Sequence, residues 1–139
     1  MDKALLDTDI FSEVLKGIDQ RVVTRAIAYR SVFGRYMLSV ITVMEIVKGF
    51  HKLHREDRIE RFLRGLQSAE LLTLDSQSAE IAGRIYADLE RVGQSIGRAD
   101  PMVAAIALRH SLTLTTGNVS HFQRIQALGY DLKLDNWRA

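Results

Sequence analysis

The stretch Leu5-Leu6-Asp7-Thr8-Asp9-Ile10-Phe11-Ser12-Glu13 decides the fold. Two leucines lead directly into an acid, a hydroxyl and a second acid, and an apolar pair follows. This pattern predicts a short buried strand that ends at Asp7 and passes into a helix capped by Thr8 or Asp9. In an open parallel α/β sheet, ligands bind outside the carboxyl ends of the strands. We therefore expect the Asp7 carboxylate to face a cleft.

The composition indicates one compact domain that covers residues 1–139. Because cysteine is absent, disulfides, thiolate metal sites and cysteine nucleophiles are excluded, and the four histidines lack the spacing of zinc ligands. The formal net charge of +2 neither favours nor excludes nucleic acid. No segment approaches the ~20 apolar residues of a membrane span, and no basic leader precedes an apolar run. We therefore expect a cytoplasmic protein without a membrane partner.

Short apolar runs alternate with helical periodicities along the rest of the chain. Further strands are predicted at 36–41, 71–74 and 112–116, with a weak edge strand from Leu132. Helices are predicted at 10–16, 19–30, 42–53, 56–66, 76–93 and 100–109, with a short one after Asn118. This alternation predicts the α/β class, as a three-layer α/β/α sandwich around a small, mainly parallel sheet.

Two helix starts have explicit signals. Thr42-Val-Met-Glu45 fits the capping-box pattern, in which the hydroxyl and the glutamate satisfy backbone N–H groups reciprocally. Asp100-Pro101 fits an aspartate cap followed by proline in the first turn. Both signals predict that a polar side chain sits at the start of a helix.

Four polar residues therefore occupy equivalent places at strand ends or in first helical turns: Asp7, Glu45, Asp100 and Asn118. Converging helix N-termini favour ionised carboxylates, and clustered carboxylates repel one another unless a cation lies between them. Oxygen ligands without histidine or cysteine point to Mg²⁺ or Mn²⁺. In the alternative interpretation, each of the four is only a helix cap or a capping-box partner.

Four segments carry these residues in order: Leu5-Leu6-Asp7-Thr-Asp-Ile-Phe-Ser12, Ser39-Val-Ile-Thr-Val-Met-Glu45-Ile-Val-Lys-Gly49, Asp100-Pro-Met-Val-Ala-Ala-Ile-Ala107 and Thr116-Gly-Asn118-Val-Ser-His-Phe122. Together they resemble the successive motifs of the PIN-domain family, and within it the VapC toxins of toxin–antitoxin pairs. The resemblance spans nearly the whole chain. It implies a Mg²⁺- or Mn²⁺-dependent endoribonuclease that cleaves RNA, often as a homodimer, and that a VapB-like antitoxin silences.

The resemblance also implies roles for individual residues. Asp7, Glu45 and Asp100 are expected to be the three acids at the metal. Asn118 occupies a position where many members carry a fourth acid, and it is expected to orient a water or a ligand. Thr116 occupies the family's hydroxyl position. Asp9 is expected either to support the first acid or to cap the helix.

Two positions depart from the family pattern. Related toxins often carry arginine where this chain has Ser120, so a phosphate contact is either missing or supplied elsewhere. Pro101 is an unusual neighbour for the third acid, although it suits a first helical turn. Arg98, two residues before Asp100, is interpreted as an acid partner, a contact to RNA phosphate or a solvated loop arginine.

The stretch from Lys48 to Arg64 is rich in basic residues. It has three interpretations: a footprint for the RNA backbone, a solvated helical face with i,i+4 ion pairs, or the surface that receives the antitoxin.

Two other functions compete with the nuclease. Asp7-Thr8-Asp9 also resembles the opening motif of haloacid-dehalogenase-like phosphatases, but those enzymes need a later lysine, and none lies between Lys52 and Lys133. A non-catalytic interaction or RNA-binding module on a PIN-like fold is the second alternative. The retention of all three acids argues against it.

Overall fold

The computed structural model describes residues 1–139 and contains five short strands and seven α-helices. The strands are β1 (Ala4–Leu6), β2 (Met37–Ser39), β3 (Glu70–Leu72), β4 (Thr113–Thr115) and β5 (Lys133–Asp135). The helices are α1 (Thr8–Lys16), α2 (Gln20–Phe33), α3 (Val40–Lys52), α4 (Glu56–Gly65), α5 (Ser76–Arg91), α6 (Asp100–Arg109) and α7 (Val119–Ala127). A 3-10 turn over Leu66–Ser68 joins α4 to β3.

The five strands form one sheet in the order β3-β2-β1-β4-β5, and every neighbouring pair is parallel. The predicted α/β class is confirmed, and the predicted edge strand is β5, which pairs with β4. Since all strands run the same way, their carboxyl ends meet at one edge of the sheet. Asp7 directly follows the central strand β1 and therefore lies at the middle of that edge.

Two hydrophobic cores cover the two faces of the sheet. Leu5 of β1 belongs to the core formed with α5, α6 and α7, whereas Ala4 and Leu6 belong to the core formed with α1 to α4. This division follows from the two-residue repeat of a strand, which points successive side chains to opposite faces. The predicted three layers are therefore present. None of the seven helices combines the length and apolarity that a membrane crossing requires.

The cap of the first helix lies one residue before the earlier of its two predicted positions. Asp7, and not Thr8 or Asp9, occupies the N-cap of α1, with extended backbone angles and a side chain that accepts a hydrogen bond from the Thr8 N–H at 2.9 Å. The strand therefore ends at Leu6, and the acid that was expected to point into a cleft also initiates the helix.

The predicted capping box at the start of α3 is wrong. Helix α3 begins at Val40, and the Ser39 hydroxyl caps it by accepting a hydrogen bond from the Thr42 N–H at 3.3 Å. The sequence contains two hydroxyl residues three positions apart, and the earlier one is the cap. Glu45 consequently lies in the second turn, too far along the helix to satisfy the first backbone N–H groups.

The predicted caps of α6 and α7 also differ from the structure. Ala99 holds the cap position of α6, so Asp100 is the first helical residue, with Pro101 behind it. Asn118 holds the cap position of α7, but its side chain makes no capping hydrogen bond. Both polar side chains are therefore available for other contacts.

Candidate active site

Asp7 is the most buried acid at the carboxyl edge of the sheet, with only 5% of its surface exposed. Its Oδ2 accepts a hydrogen bond from the Thr116 hydroxyl at 2.9 Å, while its backbone N–H donates to the Thr115 carbonyl at 2.9 Å. Burial, followed by the nearby charge of Asp9, raises the pKa of Asp7 to about 7, and Asp100 adds a smaller contribution. A carboxyl group is thus held rigidly in a poorly solvated, acidic setting.

Asp100 lies close enough to this group to act on it. Burial raises the pKa of Asp100, the contact with His121 opposes that rise, and the charge of Asp9 adds to it. His121 Nδ1 lies 3.2 Å from Asp100 Oδ2. The spacing of the four histidines in the sequence did not indicate a role for His121. Its position three residues after Asn118, in the first turn of a helix that starts at the same edge, was the available signal.

Asp9 connects the start of α1 to the turn between β4 and α7. Its Oδ1 accepts a hydrogen bond from the Ile10 N–H at 2.8 Å. Its Oδ2 accepts one from the Gly117 N–H at 2.8 Å and another from Arg138 Nη2 at 2.6 Å. Both carboxylate oxygens are therefore engaged, and Asp9 is not the helix cap.

Glu45 reaches the site through Thr8. The Thr8 hydroxyl donates to Glu45 Oε1 at 2.6 Å and lies 3.0 Å from the Thr42 hydroxyl. Since Thr8 directly follows Asp7, Glu45 lies beside the buried acid without touching it. A glutamate freed from any capping role thus points toward the same edge.

Thr116 and Asn118 complete the turn after β4. The buried Thr116 hydroxyl donates to Asp7 and accepts a hydrogen bond from the Asn118 N–H at 3.0 Å. The Asn118 side chain is exposed at the mouth of the site. Ser120 is exposed two residues further along, and Arg98 is a solvent-exposed loop residue without an ion pair.

Residues 4–128 match the family model of the PIN domain. The chain belongs to the PIN-domain family. Among its relatives, it is 30% identical to the tRNA(fMet)-specific endonuclease VapC of Salmonella typhimurium, with 99% of each chain covered. It is 33% identical to the ribonuclease VapC2 of Haemophilus influenzae, again over 99% of each chain.

Solved structures of the family superpose closely on this PIN domain. The DNA-bound VapBC complex from Salmonella typhimurium matches with a TM-score of 0.82 and 30% identity over 99% of each chain. The VapBC-1 complex from nontypeable Haemophilus influenzae matches with a TM-score of 0.81 and 28% identity over 98% of each chain.

The acids of this PIN domain form a loose cluster. Asp7, Asp9 and Asp100 interact electrostatically, whereas Glu45 lies at the far side of Thr8 and Asn118 at the rim. In this conformation, no three acidic or histidine side chains converge closely enough to enclose a metal ion. The arrangement therefore offers a buried carboxylate with further acids around it, rather than a preformed cage.

A groove of about 850 Å³ adjoins the acids between α1, α3 and α4. Its apolar lining residues include Phe11, Leu15, Ile18, Phe50, Leu53 and Phe62, and its basic ones are Lys16, Arg30, Arg58 and Arg61. Thr8 and Glu45 also line it, so the groove opens onto the active-site edge. Two arginines of the basic stretch make local contacts. Arg55 pairs with Asp57, and the Arg58 guanidinium lies 6.0 Å from the Phe50 ring centre.

Proposed function

We propose that this PIN domain is an endoribonuclease toxin of a toxin–antitoxin pair, and that Mg²⁺ or Mn²⁺ assists its acids. The observation that carries the proposal is the buried Asp7 carboxyl, held at the centre of the sheet edge beside Asp100. The relatives support the reaction class, since they are named as a tRNA(fMet)-specific endonuclease and a ribonuclease.

The donor chemistry of the site fits a hard divalent cation. Mg²⁺ commonly binds through one or two carboxylates and keeps several waters, so it does not require three converging acids. A buried carboxylate surrounded by like charges is also the setting that a cation relieves. Asp7, Asp100 and Glu45 are the candidate ligands, and one or two of them would suffice to hold the ion. A bound Mg²⁺ or Mn²⁺ would supply charge neutralisation at the phosphodiester and an activated water.

The neighbouring residues of the chain would keep these ligands in place. The Thr8 N–H and the Thr116 hydroxyl orient the two oxygens of Asp7, and Thr8 also holds Glu45. His121 contacts Asp100, while the exposed Asn118 amide is free to orient a water or the RNA. Each contact would reduce the reorganisation that the site undergoes during the reaction.

We assign the groove to the antitoxin. Its lining of apolar residues with four basic ones suits an amphipathic protein segment with acidic flanks better than a nucleic-acid backbone, which would need a mainly polar, basic surface. The structural relatives support such a partner, because they are VapBC complexes. A homodimer is the proposed state of the free toxin, and its mass in solution tests it.

RNA cleavage by purified variants tests the catalytic proposal. Asp7→Asn and Asp100→Asn should each lower the cleavage rate at least about a hundredfold, because each removes a charge that the cation needs. A chelator should have the same effect on the wild type. Asp131→Asn is the matched control, since Asp131 is exposed and precedes β5 at the opposite edge of the sheet.

The same assay separates the alternatives. Cleavage by Asp7→Asn at the wild-type rate would contradict the assignment and leave a non-catalytic PIN-like module as the better description. Because the chain belongs to the PIN-domain family, the resemblance of its first motif to the phosphatases no longer supports a phosphatase. The side chains that contact Asp9 and Asp100 are Arg138 and His121, and no lysine of the kind that the phosphatases need does so.

A further inference from the structure

The segment from Asn136 to Ala139 brings a positive charge to the acids from the far end of the chain. Arg138 Nη2 lies 2.6 Å from Asp9 Oδ2, a contact between residues 129 positions apart. The side chains of Arg138 and Asp9 are 36% and 22% exposed, so the pair is only partly screened by water. No other arginine or lysine forms an ion pair with the acids at this edge.

The segment is anchored on both sides of Arg138. Trp137 is almost completely buried, and its ring centre lies 5.8 Å from that of Tyr29. Arg25 donates hydrogen bonds to the backbone oxygens of Asn136 and Ala139. The Asn136 side chain accepts a hydrogen bond from the Arg138 N–H at 2.9 Å. The guanidinium is therefore placed by packing and is not a mobile surface charge.

Gly117 makes room for this contact. A Cβ atom at this position would lie 2.3 Å from Arg138 Nη2 and 2.6 Å from Asp9 Oδ2. A side chain at this position would displace the tips of Arg138 and Asp9 from one another. The turn after β4, the start of α1 and the Asn136–Ala139 segment therefore meet at one point, where glycine leaves room for the ion pair.

We propose that Arg138 is a positioning residue that keeps the Asp9 carboxylate out of the metal-binding set and offsets its charge. This inference rests on the proposed metal-assisted function. Without the guanidinium, Asp9 would keep two backbone hydrogen bonds but would carry an unbalanced charge next to Asp7 and Asp100. Its Oδ2 would lose one of its two hydrogen bonds and would have a lone pair available for a divalent cation.

The test is the affinity for Mn²⁺, measured by calorimetry on the full chain. Arg138→Gln should tighten Mn²⁺ binding by about threefold to tenfold, because a counter-charge is lost and a carboxylate is released. Arg138→Lys should stay within about twofold of the wild type, since the ammonium retains the charge. Arg21→Gln is the matched control: it breaks an exposed arginine–aspartate pair of 3.0 Å with Asp19, at the start of α2.

The Asp9→Asn background shows whether Arg138 acts through Asp9. In that background Arg138→Gln should tighten Mn²⁺ binding clearly less than it does in the wild type, because only the direct repulsion between the guanidinium and the cation is then removed. Fluorescence of Trp137, the single tryptophan, reports whether the segment stays docked in each variant. An effect of equal size in both backgrounds, as a detached segment would produce, would overturn the inference.

The remaining outcomes are equally decisive. Unchanged or weaker Mn²⁺ binding by Arg138→Gln, the same tightening in Arg138→Lys, or a wild type that binds no Mn²⁺ would each refute the role of Arg138. RNA cleavage is measured separately. Tightening in a protein that cleaves no RNA would support the inference and refute the proposed function. RNA cleavage by the wild type, combined with an Mn²⁺ affinity that Arg138→Gln leaves unaltered, would support the proposed function and refute the inference.

Discussion

The Asp7 side chain links the stability of the protein to pH. Its pKa in the folded chain is about 7, against an ordinary value of 3.8, because burial and Asp9 disfavour the carboxylate. Between these two values the folded state binds more protons than the unfolded state. The free energy of unfolding therefore falls as pH rises from about 4 to about 7. Without metal, the ionised site opposes folding at neutral pH.

Asp7→Asn should consequently stabilise the metal-free protein, by an amount that grows as pH rises through this window and is largest above it. We expect a gain of about 2 to 4 kcal/mol at pH 8 and little difference near pH 4, because the neutral amide has no proton to lose. Urea unfolding in chelator at both pH values measures this, with Asp131→Asn as the exposed control. A gain of equal size at both pH values would show that packing, and not ionisation, is responsible.

Residues at strand ends were predictable, whereas their partners were not. Asp7 and Asp100 follow from apolar runs that stop at an acid or from a local Asp-Pro signal. His121 contacts Asp100, and Arg138 contacts Asp9, only because β4 and β5 lie on the same side of β1 in the sheet. Strand order is a property of tertiary packing, so local patterns can place His121 near the same edge but contain no information about either contact.

At the scale of elements, most strands and helices were predicted, but several starts were displaced. The chain has hydroxyl residues at 39 and 42, and either can cap a helix. Strand β2 ends at Ser39 and the helix begins directly after it, so the Ser39 hydroxyl is the cap. The displaced start changes the role of Glu45 from a capping partner of Thr42 to a side chain that contacts Thr8.

The turn between β4 and α7 is the element whose backbone the ion pair constrains most. Gly117→Ala should lower the free energy of unfolding by about 1 kcal/mol, because the tips of Arg138 and Asp9 have to move apart. It should also tighten Mn²⁺ binding, as Arg138→Gln does. Gly83→Ala is the control, since nothing lies within 4 Å of its added Cβ in the exposed middle of α5. That change should stabilise the protein by about 0.5 to 1 kcal/mol. Thermal unfolding and calorimetry measure both effects, and unaltered metal binding by Gly117→Ala would contradict the steric argument.

At the scale of the whole molecule, the layered architecture was predictable because strands and helices alternate along the chain. Parallel strands joined by helical crossovers leave few topologies, and both faces of the sheet must be covered. The groove was not predictable from the sequence. Its apolar residues come from the end of α1, from α3 and from α4, and Ile18 lies in the connection before α2. Only the packing of these elements assembles one surface.

The position of the groove predicts which substitutions weaken the binding of the toxin to its antitoxin. Ile18 is 75% exposed within the groove, and Ile27 is 66% exposed on α2 outside it. Ile18→Glu would place a carboxylate among the apolar lining residues of the groove, where an antitoxin segment would have to bury it. Cells that express this variant together with the antitoxin should therefore stop growing, whereas Ile27→Glu should be silenced like the wild type. Growth curves with and without the antitoxin, and co-purification of the two proteins, measure this difference. If both variants are silenced equally, the antitoxin binds elsewhere, and the groove is then a surface for RNA or for a second copy of the chain.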